Sequence, residues 1–494
     1  MVCASFTRTA AAVLRGRVPI PSSQATTMHA LCYRVLGNPA LAEKGPLLKQ
    51  WNERVDIPDS WKLEGAEIEE GPREHRPGTK MAIYNRYRAG LRQSKFLRAL
   101  CEDFAAVWEA YKKENYAYDF TDLLEVVLDH QMRLPVDAEV FVVDEWQDAT
   151  PLMYAVAVLW GAGARYYMQA GDPAQALYSW LGATPEPWLE PIPADHTYLL
   201  DQSYRLPSGV HTLAERWLTY HSGSLSEGRT YSPRDDAGLV EHRPLSPEDG
   251  EELAEHLRAD AQVFDSVMIL ACCGYQLRPT LAALRDAGTP FHNPYRPTER
   301  AWNPLGGGEE GRGRVTSTLA RLRALTAPWP HDGATVRLWA DLFKVGAFSV
   351  DRDVVTTMDR LAPEQLGHVM QPQVADAIAA ADLAALAPLV YAKFEKPFAY
   401  AARCGAAALR ETPRVTVGTV HSVKGGEASI VYLLPHPSPA GEREAQAAEG
   451  QDAQVRQLYV GMTRAKEGLV LCTGRSHTGA NRPVPTRFRV ATQD

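Results

Sequence analysis

The run VFVVDEWQDA, Val140 to Ala149, places Asp144 and Glu145 directly after four apolar residues. A buried parallel strand ending this way puts two carboxylates at the carboxyl edge of a sheet, where ligands bind. One carboxylate there can hold Mg²⁺, and its neighbour can orient or deprotonate an attacking water, as nucleotide hydrolysis requires. An isolated Asp-Glu pair is more often an acidic turn capping a strand. This pair is followed by YYMQAGDPAQALYSWLGA, Tyr166 to Ala183, a second strand pattern that ends in a Gly-Asp-Pro turn and leads to Gln175, Tyr178 and Trp180. A glutamine beside a γ-phosphate can sense it by hydrogen bonding, and exposed aromatic rings stack on unpaired bases for about 1 to 3 kcal/mol per base. Taken alone, Tyr178 and Trp180 read as core packing.

The elements that must position these residues are short apolar strands, each followed by a longer helical pattern, which implies parallel α/β sheets. The strand runs are Val140 to Val143, Tyr166 to Gln169, Val267 to Ala271, Val415 to Thr419, Ile430 to Leu434 and Leu469 to Cys472. Helical spacing of apolar residues is clearest from Phe104 to Leu128 and recurs around Asp376 to Ala402. The Pro- and Gly-rich stretch from Asn293 to Arg314 reads as an exposed loop.

With 494 residues, the chain is long enough for about three or four compact units. No apolar run approaches the roughly 18 residues a membrane span needs, and the expected location is the cytoplasm. The net charge of −8 argues against an overall basic nucleic-acid binder, but a cleft needs only local positive potential. Seven scattered cysteines suggest neither zinc nor disulfides. Residues 1 to 42 lack Asp and Glu, as transit peptides often do; the motif they carry argues that they belong to the fold.

DEWQD followed by GDPAQALYSWLGA resembles motifs II and III of the UvrD/Rep-type superfamily 1 helicases. LLDQSYRLP (Leu199 to Pro207) resembles motif IV, VTVGTVHSVKGGEASIVYLL (Val415 to Leu434) motif V, and RQLYVGMTRAKEGLVLC (Arg456 to Cys472) motif VI, in family order. Upstream, SFTRTAAAVLRGRV (Ser5 to Val18) looks like motif Ia, and ATTMHALCYRVL (Ala25 to Leu36) like the segment after it.

Carried over residue by residue, the resemblance implies that Asp144 coordinates Mg²⁺, Glu145 is the general base and Gln175 contacts the γ-phosphate of ATP. Arg205 and Arg464 are implied as arginine fingers, whose planar guanidinium groups suit charge spread over phosphoryl oxygens. Gly425, Glu427 and Gln147 fall to the nucleotide, with Glu427 on its sugar. Phe6, Thr7, His29, Tyr178, Trp180, Thr419 and His421 fall to single-stranded DNA, gripped without regard to sequence. Each of these residues, taken alone, has an ordinary structural reading as a core residue, cap or salt bridge.

Two smaller departures from the family are Leu181, where relatives often carry a basic residue, and Gly426, where an apolar residue usually follows the motif V glycine. The largest is that no G-x-x-x-x-G-K-[ST] phosphate loop occurs in the 494 residues, and the Gly306 to Arg314 run does not replace it. The expectation is a first motor domain that is incomplete at its N-terminus. The expectation is that the start is truncated or misassigned, or that the loop lies on a separate polypeptide. No acidic cluster with metal-ligand spacing follows motif VI, so a fused nuclease is not expected.

The expected architecture is α/β, with two RecA-like parallel-sheet motor domains of the phosphate-loop NTPase type, each carrying a helical insertion. Residues 1–36 and 128–198 form the first motor, 37–127 its insertion, 199–292 and 405–494 the second motor, and 293–404 the second insertion. The expected function is an ATP-dependent 3′-5′ helicase acting on single-stranded DNA and single/double-strand junctions in repair, recombination or replication. The rival is a degenerate helicase that binds single strands or regulates without turning over ATP.

Overall fold

The computed structural model describes every residue except 7, 64–78, 184–195, 222–229, 297–298, 307–317, 447, 477–482 and 493–494. The chain divides into two compact units. The first comprises Met1–Gln202, Glu215–Ser232 and Glu444–Val460, and the second Ser203–Ala214, Pro233–Arg443 and Gly461–Asp494.

The first unit is built on a four-stranded sheet in the order β2-β1-β3-β4, with β1 Val2–Ser5, β2 Ala25–Thr27, β3 Val140–Val143 and β4 Tyr166–Gln169. All of its pairings are parallel. The helix Pro151–Gly161 is capped by Thr150 and buries Leu152, Met153, Val156, Ala157 and Trp160 in one core with Phe141 and Val143 of β3. Tyr167 stacks on Phe141 at 5.7 Å. A Cβ on Gly161 would lie 2.6 Å from the Tyr167 ring, so this close approach of helix to strand requires glycine.

The helical pattern from Phe104 to Leu128 resolves into two helices, Lys95–Glu114 and Phe120–Asp129. Between them Tyr116 takes a positive φ of 49°, and Asp119 starts the second helix in a capping box with Asp122. The first helix packs Phe104, Trp108 and Tyr111 with Trp51 and Tyr84 in an aromatic core, whereas the second buries Leu123, Leu124 and Val127 in the core of the sheet. Arg88, fully buried, pairs with Asp119 at 2.7 Å and also with Asp122 and Glu125, and Lys112 joins Asp119 at 2.7 Å.

In the second unit, β5 (Gln202–Pro207) and β6 (Ser232–Arg234) make a short ribbon. The main sheet has six strands in the order β7-β14-β13-β8-β12-β9. Its members are β7 Leu239–Arg243, β8 Val267–Ala271, β9 Phe291–His292, β12 Val415–Thr419, β13 Ala428–Leu434 and β14 Ala465–Cys472, while β10 (His331–Asp332) and β11 (Arg360–Leu361) pair separately. The main sheet is wholly parallel. Every residue of β8, β12 and β13 is buried, as expected of parallel strands covered on both faces. The region around Asp376 to Ala402 is a series of helices, Pro372–Ala379, Leu383–Leu386 and Ala392–Cys404. They belong to a separate core with Trp339, Phe343 and Phe398.

The expected exposed loop from Asn293 is corrected in its first part: Asn293, Arg296 and Asn303 are buried. Asn293 Nδ2 donates to Val417 O at 2.8 Å, and Asn303 Nδ2 donates to Arg296 O at 2.7 Å. Asparagine amides thus satisfy main-chain carbonyls that no ladder reaches. Residues 307–314 of that stretch lie outside the described residues. All seven cysteines are unbridged, and no helix among the described residues is long and apolar enough to cross a membrane.

Candidate functional site

In the first unit the carboxyl edge of the sheet carries the acidic pair. Asp144 N donates to Ala4 O and Trp146 N to Ala170 O, both at 2.9 Å, so the chain leaving β3 is held against both neighbouring strands. Between these two anchors Glu145 adopts a left-handed conformation, φ 57° and ψ 40°. That geometry costs a non-glycine residue about 1 to 2 kcal/mol and persists where the surroundings impose it. Burial, and then the charge of Asp144, push up the Cys3 thiol on β1, which puts the aspartate charge beside the buried strand.

Gln147, expected at the nucleotide, is 1% exposed. Its Nε2 donates to Glu145 Oε2 at 2.6 Å, and its Oε1 accepts Asp172 N–H at 3.0 Å. A Cβ on Gly171 would come within 2.5 Å of that Oε1, so glycine in the Gly-Asp-Pro turn makes room for the bridge. Gln175 follows in the same network, donating from Nε2 to Asp172 Oδ2 at 2.7 Å.

Of the residues expected at DNA, Phe6 is half-buried and packs on Tyr178 with ring centroids 4.8 Å apart. Tyr178 is 3% exposed, so it backs Phe6 and its own ring is covered. His29 is half-buried, and burial pulls its imidazole down to about 4, leaving it neutral near pH 7. Thr7 and the Trp180 side chain lie outside the described residues.

In the second unit, motifs IV, V and VI converge. Arg205 Nε meets Glu427 Oε2 at 3.0 Å, Lys466 Nζ meets Glu427 Oε1 at 3.6 Å, and Arg205 Nη1 donates to Thr463 O at 3.4 Å. Arg464 is 1% exposed and donates to Gly426 O at 3.2 Å and to Thr463 Oγ1 at 3.3 Å. Gly425 has φ +84° with open space where a Cβ would stand, as a backbone approached by a ligand would need. Thr419 is buried, its Oγ1 accepting Ser422 N–H at 3.2 Å, and His421 opens the same short turn.

Three residues went unnoticed in the sequence. Asp172 organises the Gly-Asp-Pro turn, Lys466 shares Glu427 with Arg205, and the Tyr295 ring lies against Gly426. Lys466 was within reach, standing two places after Arg464 in TRAK; Tyr295 carried no signal, since only the fold brings it to motif V.

As a donor set, Asp144 and Glu145 suit Mg²⁺, which takes one or two carboxylates and completes its shell with water and phosphate oxygens. The other close acidic group among the described residues, Glu109, Asp119 and Asp122, already surrounds Lys112 and Arg88.

Parallel α/β sheets with carboxylates at the carboxyl edge are consistent with motor domains of the RecA type. Residues 1–191 match the UvrD/REP helicase N-terminal domain, and residues 414–472 the UvrD-like helicase C-terminal domain. The chain belongs to the UvrD/Rep-type superfamily 1 helicases. It is similar to the ATP-dependent DNA helicase PcrA of Staphylococcus epidermidis, 23% identical over 252 residues, 45% of this chain and 34% of the relative. A PcrA of Leuconostoc citreum is 27% identical over 137 residues, 25% of this chain and 18% of the relative. The chain thus spans about a third or less of the length of these curated relatives.

Proposed function

We propose that the chain is the motor of an ATP-dependent DNA translocase that moves 3′ to 5′ on single strands and separates duplexes in repair, recombination or replication. The observation that carries this reading is the wiring of Glu145 through Gln147 to the motif III turn. Asp144 would hold Mg²⁺, which supplies charge neutralisation at the phosphates when bound. Glu145 would take a proton from the attacking water, and Gln175 would report the γ-phosphate. Arg205 and Arg464 would stabilise charge on the transferring group, Arg464 turning out from Gly426 to do so. Glu427 would orient the nucleotide sugar, and Gln147 would act through Glu145. Phe6, His29, Thr419 and His421 would face the single strand. The four-part division, two motors each with its insertion, follows from the same reading.

The phosphate loop would come from outside these 494 residues, on a strand added beside β4. Parallel sheets normally bury both faces, yet Tyr166 and Met168 of β4 are 49% and 52% exposed. In the same unit Tyr198 and Leu200 are also exposed.

The test is strand displacement with Mg²⁺ and ATP on partial duplexes carrying either a 3′ or a 5′ tail, with a loop-bearing segment supplied. Displacement from the 3′-tailed substrate supports the reading. Displacement from the 5′-tailed substrate alone would refute the polarity, and tight single-strand binding without any displacement would favour a binding module.

A further inference from the structure

The segment from Asn293 to Asn303 is stitched to motif V. Asn293 Nδ2 donates to Val417 O at 2.8 Å and to Ser422 Oγ at 3.2 Å, while its Oδ1 accepts Tyr295 N–H at 3.0 Å. Asn303 Oδ1 accepts Asn293 N–H at 3.0 Å and closes the loop. The loop is thereby fixed to β12 and to the turn that follows it, and it carries Tyr295 to Gly426.

A Cβ on Gly426 would stand 2.5 Å from Tyr295 Cζ and Oη, so a side chain at position 426 would displace the ring from its place. The next residue is Glu427, and the Tyr295 hydroxyl lies against the backbone that leads into it. On its other side Gly426 presents its carbonyl to Arg464 at 3.2 Å. One ring therefore contacts the backbone that sets both Glu427 and the main-chain acceptor of Arg464.

We propose that Tyr295 is a positioning residue for the nucleotide sugar: its ring replaces a side chain at Gly426, and its hydroxyl fixes the Glu427 backbone so that the carboxylate is correctly aimed. The departure at Gly426 is then one half of a matched pair. The inference rests on the reading of Glu427 as the sugar-binding residue.

The experiment uses the full chain and has two arms. In calorimetric titrations with Mg²⁺ and a loop-bearing segment supplied, ATP is compared with 2′,3′-dideoxy-ATP, which lacks the sugar hydroxyls. Y295F should reduce the preference for ATP by about three- to tenfold, the cost of a lost or misaimed hydrogen bond, without changing thermal stability. E427Q should remove most of that preference. In the second arm, thermal unfolding is measured for G426A with Tyr295 present and with Y295A. The substitution should destabilise the first protein more than the second, because the clash is with the ring.

A wild-type preference retained in Y295F while E427Q loses it would overturn the proposal alone, as would equal costs of G426A in the two backgrounds. A wild-type chain that does not prefer ATP would refute the reading of Glu427, and the proposal with it.

Discussion

Gln147 spans two motifs, with Nε2 2.6 Å from Glu145 Oε2 and Oε1 3.0 Å from Asp172 N. The aim of the Glu145 carboxylate therefore depends on the position of the Gly171–Asp172 turn, and Gln175 is tied to that turn through Asp172. Gln175 and Glu145 are thus linked through two hydrogen-bonded side chains, Asp172 and Gln147.

Replacing Gln147 with Leu keeps the volume and removes both hydrogen bonds. With a loop-bearing segment supplied, steady-state hydrolysis should show kcat reduced by about 10- to 100-fold, the usual scale for losing the partner that orients a reacting group, with KM for ATP within about twofold. An unchanged kcat would mean that Glu145 is held by something else.

Arg88 stands among Asp119, Asp122 and Glu125 with none of its surface exposed. R88M would leave buried carboxylates short of a cation and should cost about 3 to 5 kcal/mol in urea unfolding. A loss under about 1 kcal/mol would show that Lys112 suffices to neutralise the cluster.

Glu43 is buried and accepts Phe120 N–H at 2.8 Å. Burial, and next the Asp119 charge, push its carboxyl up to about 8. Unfolded, the group titrates near about 4.3, so folding favours its protonated form. Its contribution to stability is complete below about pH 4 and is lost as pH rises towards 8. E43Q keeps the acceptor and cannot ionise, so its melting temperature should rise relative to wild type between about pH 5 and 8. Parallel pH profiles for the two proteins would exclude this titration.

Phe6 leans on the buried Tyr178 and keeps part of its own ring at the surface. F6A should weaken binding of a labelled oligonucleotide by about 1 to 3 kcal/mol, the worth of one stacked base. Full affinity in F6A would place the stacking platform elsewhere.

Much of the fold was legible because parallel strands, whether buried or at a sheet edge, show as short apolar runs. Val140 to Val143, Tyr166 to Gln169, Val267 to Ala271 and Val415 to Thr419 are strands with those bounds. The division of the helical pattern at Asn115 to Asp119 was hidden, because spacing of apolar residues continues across a break that Asp119 makes by capping. Proline and glycine mark the Asn293 loop as exposed, and its burial is hidden because the partners of Asn293 and Asn303 are distant in sequence or main-chain atoms of the loop itself. At the site, residue types identified the carboxylates and the core character of Tyr178, but not that Gln147 is covered by protein, which depends on the close approach of Gly171.

The most direct measurement is ATP hydrolysis with and without single-stranded DNA, by the 494-residue chain alone and with a strand–phosphate-loop–helix segment supplied, each paired with E145Q. The account predicts DNA-stimulated turnover only when the segment is supplied, and its loss in E145Q. Turnover by the chain alone would contradict the need for an added phosphate loop, and hydrolysis equal with and without DNA would contradict the motor itself.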